Sequence, residues 1–163
     1  MENKLMEIKD RIKEFKRVRF SELSANPKNW RKHPEKQRDA MTGVLKTVGW
    51  ADAVLARETK DGLELIDGHL RKEIAEHAEV PVLVLDVNEQ EADLILATHD
   101  PLAAMAITNQ ELLDKLITSI EVDEQNTELL TGLSSKPKDT NEVVEDETPQ
   151  LPAKPKTKNG DLW

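Results

Sequence analysis

The sequence contains no cysteine and no tyrosine, and only two phenylalanines and three tryptophans among its 163 residues. Without cysteine the chain has no disulfide, no thiolate metal ligand and no thiol nucleophile. With so few aromatic residues, the core must be built mainly from Leu, Ile, Val and Ala, which favours aliphatic packing of helices on a sheet.

Long apolar runs are also absent from the sequence. No stretch approaches the roughly 18 to 20 apolar residues of a membrane span, and the first twenty residues are charged rather than typical of a signal peptide. We therefore expect a cytoplasmic protein that does not act at a membrane.

The formal charge of −9 is unevenly distributed along the chain. Residues 1–38 contain 12 Lys or Arg against 6 Asp or Glu, so the excess of acid lies in the remainder. The basic segment is either the solvated face of a helix or a patch that faces nucleic-acid phosphates, and charge alone does not decide between them.

Hydrophobic periodicity and turn signals predict an α/β (α+β) fold, with a small mixed sheet and flanking helices. Residues 1–17 are predicted to form an amphipathic leader helix, residues 18–133 the domain, and residues 134–163 a disordered acidic, Pro- and Lys-rich linker. Within the domain, strands are predicted at 18–23, 53–57, 63–66 and 80–86, and helices at 34–48, 68–77, from 88, 109–120 and 124–132.

The turn from the predicted strand 63–66 into the helix led by Gly68 is the main candidate site. A strand that runs directly into a helix points backbone N–H groups at one spot, which suits a phosphate oxygen, and Asp67 is a suitable N-cap. His69 and Arg71 in the first turn would reinforce such a site. The alternative is a tight turn in which Arg71 merely pairs with Asp67 or Glu73.

Two further groups of residues are candidates for binding. His99 and Asp100 precede Pro101 in an otherwise apolar stretch, and either face a nucleotide pocket or mark an exposed break between two helices. Aromatic and basic residues after the Asn26-Pro27 turn are candidates for nucleic-acid contact: Lys28, Trp30, Arg31, Lys32 and His33. No metal site is expected, because no two of the four histidines have the i, i+4 spacing of a helical zinc pair. Trp50 is expected to enter the core.

The order of these elements resembles the N-terminal domain of ParB-type partition proteins and the related sulfiredoxins, over about residues 18–106. Asn26-Pro27 through Arg31 is similar to the first box of that family, and Gly68-His69-Leu70-Arg71 to the second. The family holds nucleotide di- or triphosphates with the second box. The resemblance therefore implies a nucleoside triphosphate with Mg²⁺ as ligand, with phosphate contacts from these residues: Asp67, Gly68, His69, Arg71, His99 and Asp100.

The sequence also departs from the family pattern. His69 stands where sulfiredoxins have their nucleophilic cysteine, which excludes sulfinic-acid reduction. The first Arg of the ParB box is replaced by Leu70, and His99-Asp100 lacks the later Arg of the third box. These departures argue against CTP switching of the partition type.

Enzymatic alternatives follow from the same resemblance. Asp-Gly-His followed by Arg is similar to the turn of ParB-fold free-serine kinases, which implies Glu22 as a carboxylate base and His69 as a catalytic partner, although Leu70 replaces the second His of that family. A Mg²⁺-dependent endonuclease is the other alternative, whereas the leading hypothesis is a module that is non-catalytic or hydrolyses NTP only weakly. A nuclease would need convergent carboxylates, and the spacing of Glu22, Asp67, Glu73 and Asp100 does not force convergence.

The final residues, 157–163, resemble the entry to DNA N4-cytosine and N6-adenine methyltransferase domains, which follow ParB-like domains in phage and mobile-element proteins. The chain has no Asp-Pro-Pro-Tyr motif, so the methyltransferase would be a missing domain or a separate subunit. These features together predict a DNA-associated, nucleotide-binding ParB-like module that acts with a DNA methyltransferase. Dimerisation is expected by analogy with ParB relatives.

Overall fold

The computed structural model describes residues 8–122 and 124–134. In this part of the chain two α-helices lie between the five strands, and three more follow the last strand. In chain order the elements are β1 (Ile12–Arg19), a 3₁₀ turn (Phe20–Glu22), β2 (Leu23–Ser24), α1 (Glu35–Val48), β3 (Val54–Thr59), β4 (Gly62–Asp67), α2 (His69–Ile74), β5 (Glu79–Leu85), α3 (Glu89–Ala104), α4 (Gln110–Ser119) and α5 (Glu124–Ser134).

The five strands form one mixed sheet in the order β1-β5-β3-β4-β2. β3 and β4 form an antiparallel hairpin, and β1 is antiparallel to β5, whereas the β3–β5 and β2–β4 pairs are parallel. The predicted mixed sheet with flanking helices is therefore confirmed. Because β4 runs away from its hairpin turn, Asp67 and Gly68 lie at the opposite end of the sheet from that turn.

The core has two parts, because neighbouring side chains of a strand point to opposite faces of the sheet. Leu65 packs with the buried valines of β5, while Ile66 packs with Ala92 and Leu96 of α3. Trp50 packs against the first part, with its ring edge-to-face with Phe20 at 5.9 Å between centroids. The expected core role of Trp50 is confirmed.

The predicted leader helix is wrong within the described residues, because β1 begins at Ile12. The helical spacing of Ile8, Ile12 and Phe15 does not create a buried face, since all three side chains are exposed. The segment instead forms β1, which has seven register pairs with β5. Pairing with the edge of this buried strand outweighs a weak helical propensity. Residues 1–7 of the predicted helix lie outside the described part of the chain.

Arg11 fixes the start of β1 to α3. Its guanidinium forms two hydrogen bonds of 2.7 Å with the Glu91 carboxylate, and this contact lowers the pKa of Glu91 to about 2. Glu91 also closes the capping box with Asn88, so the predicted N-terminus of α3 is confirmed. The helix then continues through Pro101 to Ala104. Of the two alternatives for His99 and Asp100, the exposed break between two helices is therefore wrong, because Pro101 lies within α3.

α2 is shorter than predicted. Its N-cap is Gly68 rather than Asp67, and it ends at Ile74 because a turn closed by the hydrogen bond from Ala78 N–H to the Ala75 carbonyl leads into β5. The predicted linker also begins too early, since Ser134 is the last residue of α5. The rest of the linker and the methyltransferase-like tail, residues 135–163, lie outside the described residues.

Candidate anion-binding site

A cavity of about 220 Å³ lies where β4 passes into α2, bounded also by the 29–33 loop, α1 and the C-terminal part of α3. The fold brings distant segments together here, because α2 begins at the end of β4 and α3 packs against β4. All six residues predicted for phosphate contact line it, together with two of the residues predicted for nucleic-acid contact: Asp67, Gly68, His69, Arg71, His99, Asp100, Arg31 and His33.

Gly68 occupies a position that only glycine fits. Its φ of +104° lies in the left-handed region, and an added Cβ would stand 2.4 Å from Cγ1 and 2.8 Å from Cβ of buried Val54. The absence of a side chain at Gly68 therefore allows the β4–α2 turn to pack closely against β3. The tight-turn interpretation holds for Gly68, and a ligand role for its backbone stays a prediction.

Arg71 lies on the cavity wall between two carboxylates. Its Nη2 is 2.8 Å from Oδ2 of Asp52, and its Nη1 is 3.6 Å from Oδ2 of Asp67. Asp67 is thus an ion-pair partner of Arg71 rather than a helix cap. Glu73, the other partner considered for Arg71, instead accepts a 2.8 Å hydrogen bond from Nδ1 of His33.

Arg31 is the second guanidinium of the cavity. Its Nε is 3.1 Å from Oδ2 of Asp100, and its Nη2 donates to the Leu96 carbonyl at 3.3 Å. The guanidinium carbon also lies 4.8 Å from the centre of the Trp30 ring, a cation–π distance. These contacts turn Arg31 toward α3 and the cavity, and its contact with nucleic acid stays a prediction.

His69 is buried and acts first as an anchor for the loop that begins at Asn26. The backbone N–H of Asn26 donates to Nε2 of His69 at 3.2 Å, which requires that this nitrogen be unprotonated. Burial lowers the pKa of His69 below its ordinary value of 6.5, although the charge of Asp67 acts in the opposite direction. The folded chain therefore favours the neutral imidazole, and a catalytic role for His69 stays a prediction.

This anchor predicts a pH dependence of stability. The unfolded chain binds a proton at His69 more readily than the folded chain, so stabilisation that is present above pH 6.5 is lost as the pH falls below it. We expect the free energy of unfolding, measured by urea titration, to decrease between about pH 7.5 and about pH 5, and the decrease to be smaller in His69→Gln. The same substitution at exposed His77 is the matched control. Equal pH slopes in the wild type and His69→Gln would contradict the prediction.

The other candidate residues lie away from the cavity. Lys28 is paired with Glu89 and Asp93 on α3, at 2.7 and 2.6 Å. Trp30 and Lys32 are exposed. Glu22 lies in the 3₁₀ turn and is exposed, and it is not among the residues that line the cavity.

Sequence reasoning missed Asp52 and the link between Asn26 and His69. Asp52 lies in the segment between α1 and β3, where nothing in its spacing connects it with Arg71, nineteen residues away. The burial of His69 could not be predicted either, because the residues around a histidine in the first turn of a helix do not indicate whether its ring is buried or exposed. An Asn-Pro turn followed by a distant histidine indicates the contact between Asn26 and His69 only weakly.

The carboxylates of the cavity do not form an evident metal site. Asp52, Asp67 and Asp100 each pair with an arginine. Within residues 8–122 and 124–134, no three His, Asp or Glu side chains are grouped so that they could hold a metal ion. No helix in the same part of the chain is long and apolar enough to cross a membrane.

The chain has a ParB-like fold, similar to that of solved ParB structures. The structure that supports this similarity is the C-terminally truncated chromosome-partitioning protein ParB from Caulobacter crescentus, complexed with CTP-γ-S. It gives a TM-score of 0.54 at 16% sequence identity, and the match covers 74% of this chain and 70% of that chain. The same protein complexed with the centromeric parS site gives a TM-score of 0.43 at 16% identity, covering 75% and 66%. A Pnob8-like ParB-N domain gives 0.45 at 17% identity, covering 64% and 44%. No protein-family model matches the chain, and no curated protein matches it.

Proposed function

We propose that this chain binds a nucleoside triphosphate in the cavity beside Gly68 and works in association with DNA, as a module with a ParB-like fold. The observation on which the proposal rests is the convergence of Arg31 and Arg71 on one cavity. Guanidinium groups bind phosphate oxygens through paired, charge-assisted hydrogen bonds, and two of them in one cavity can hold a chain of phosphates.

The solved structure with the same fold supports this choice of ligand, since that ParB protein is complexed with CTP-γ-S. Mg²⁺ would bind together with the triphosphate rather than to the protein alone, because the carboxylates of the cavity already pair with arginines. The experiment that tests the proposal is calorimetric titration with CTP, ATP and GTP, each with Mg²⁺. At least one nucleotide is expected to bind to the wild type, and the absence of binding by all three would overturn the proposal.

DNA association is proposed for the exposed part of the 29–33 loop. Trp30 is 60% exposed and can stack on a base, and Lys32 is exposed beside it. Lys32→Ala is expected to weaken binding to labelled DNA and to reduce the dependence of affinity on salt, as loss of one phosphate contact does. Lys60→Ala, at the exposed hairpin turn at the other end of the sheet, is the control. Equal effects of the two substitutions, or affinity independent of salt, would contradict this proposal.

A DNA methyltransferase is the proposed partner, and a phage or mobile element the proposed source. Both rest on the resemblance of residues 157–163 to the entry of such enzymes, and these residues lie outside the described part. The coding sequence next to the gene tests the idea. An adjoining reading frame without an Asp-Pro-Pro-Tyr type motif would count against it.

Sedimentation of the purified chain tests the homodimer expected from the ParB resemblance.

The proposed function is binding rather than catalysis. A kinase of the kind considered from the sequence would need Glu22 near the phosphates, yet Glu22 does not line the cavity. A Mg²⁺-dependent nuclease would need convergent carboxylates, and those that line the cavity are held by Arg31 and Arg71. No arrangement in the described residues favours either enzyme over a binding module.

A further inference from the structure

Each guanidinium of the cavity has an aspartate from a different segment as its counter-ion. Asp52, before β3, pairs with Arg71 at 2.8 Å, and Asp100, on α3, pairs with Arg31 at 3.1 Å. The two carboxylates therefore occupy positions beside the cations at which phosphate oxygens of a ligand would bind.

The two members of each pair differ in how firmly they are held. The side chains of Arg71 and Arg31 are 18% and 16% exposed, whereas those of Asp52 and Asp100 are 70% and 54% exposed. Each arginine also has a second contact that does not involve these aspartates: Asp67 for Arg71, and the Leu96 carbonyl for Arg31. The cations thus belong to the wall of the cavity, and the carboxylates to its solvent-exposed rim.

We propose that Asp52 and Asp100 are exchangeable counter-ions that a phosphate ligand displaces, so that their negative charge lowers the affinity of the cavity for phosphate groups. This rests on the proposed function, since it concerns the same cavity. An ion pair whose carboxylate is exposed to solvent is weak, and a phosphate that forms paired hydrogen bonds replaces it. A ligand that displaces only one of the carboxylates still faces repulsion from the other, whereas a ligand that contacts both arginines displaces both.

The test uses the variants Asp52→Asn and Asp100→Asn, singly and together. Asparagine keeps the shape of aspartate and removes its charge, and each arginine keeps its second contact, so the fold is expected to persist. Calorimetric titration with inorganic triphosphate and with inorganic phosphate is expected to show binding about 3- to 10-fold tighter for each single variant, from removal of one weak ion pair and of its repulsion. The double variant is expected to bind each ligand more tightly than either single variant does.

Glu58→Gln is the matched control. Glu58 is 52% exposed and pairs with Lys13, away from the cavity. Unchanged affinity in the aspartate variants would overturn the inference. Weaker binding would overturn it too, because it would mean that the carboxylates hold the ligand, directly or through a cation. If the wild type binds triphosphate but the aspartate variants do not bind it more tightly, the proposed function stands and this inference is wrong. If neither wild type nor variants bind any phosphate ligand or nucleotide, both fall.

Discussion

Arg71→Ala is expected to weaken nucleotide binding by roughly 30- to 150-fold, as loss of about 2 to 3 kcal/mol of charge-assisted hydrogen bonding implies. The side chain is mostly buried and fixed at the wall of the cavity, so it is already in place before a ligand arrives. Its removal also leaves Asp52 and Asp67 without their cation, and their negative charge then opposes the phosphates. Calorimetric titration with the nucleotide that binds the wild type best provides the measurement.

Arg57→Ala is the control for a general effect of losing a buried arginine. Arg57 is as little exposed as Arg71 and pairs with Glu64 at 2.8 Å, but it does not line the cavity. We expect this variant to keep the affinity of the wild type. Arg71→Lys adds a second comparison, since lysine keeps the charge and lacks the planar fork. Equal affinities of Arg71→Ala and the wild type, with both proteins folded by circular dichroism, would remove Arg71 from the site.

Gly68→Ala is expected to reduce the free energy of unfolding by about 2 to 4 kcal/mol, from backbone strain and overpacking together. The left-handed φ of +104° disfavours any side chain. The new Cβ would also meet Val54, which is fully buried in the core, at distances well below a van der Waals contact. Urea-induced unfolding of the wild type and the variant is the measurement.

Two further variants separate the causes. Gly62→Ala has a similar backbone penalty, with φ of +120°, but its Cβ would meet nothing within 4 Å. Its smaller loss of stability would measure the strain alone. Val54→Ala removes the atom at 2.4 Å, so the double variant Gly68→Ala/Val54→Ala should be more stable than the sum of the two single losses implies. If Gly68→Ala and Gly62→Ala lose the same amount, the contact with Val54 is not what requires glycine.

Local signals were sufficient for much of the fold. Asn88 and Glu91 form the capping box that their spacing predicts, and the β3–β4 hairpin forms around the Lys60-Asp61 turn. Such elements are predictable because they depend on residues close together in the chain. The first strand was not predictable in this way. Residues from Ile12 onward have an ambiguous pattern, and pairing with β5, more than sixty residues later, decides their conformation.

The features of the candidate site can also be divided into those that local sequence predicts and those that depend on the tertiary structure. The amino-acid sequence by itself determined the glycine turn, the arginine in the helix that follows it and the exclusion of thiol chemistry, because these depend on residue type and near neighbours. Only the tertiary structure decided that Arg31 shares a cavity with Arg71, that His69 is buried under the Asn26 loop, and that Asp52 and Asp100 neutralise the two arginines. These contacts join segments tens of residues apart. Their geometry is set by the order of the strands and by the packing of α3 on β4, which no local spacing encodes.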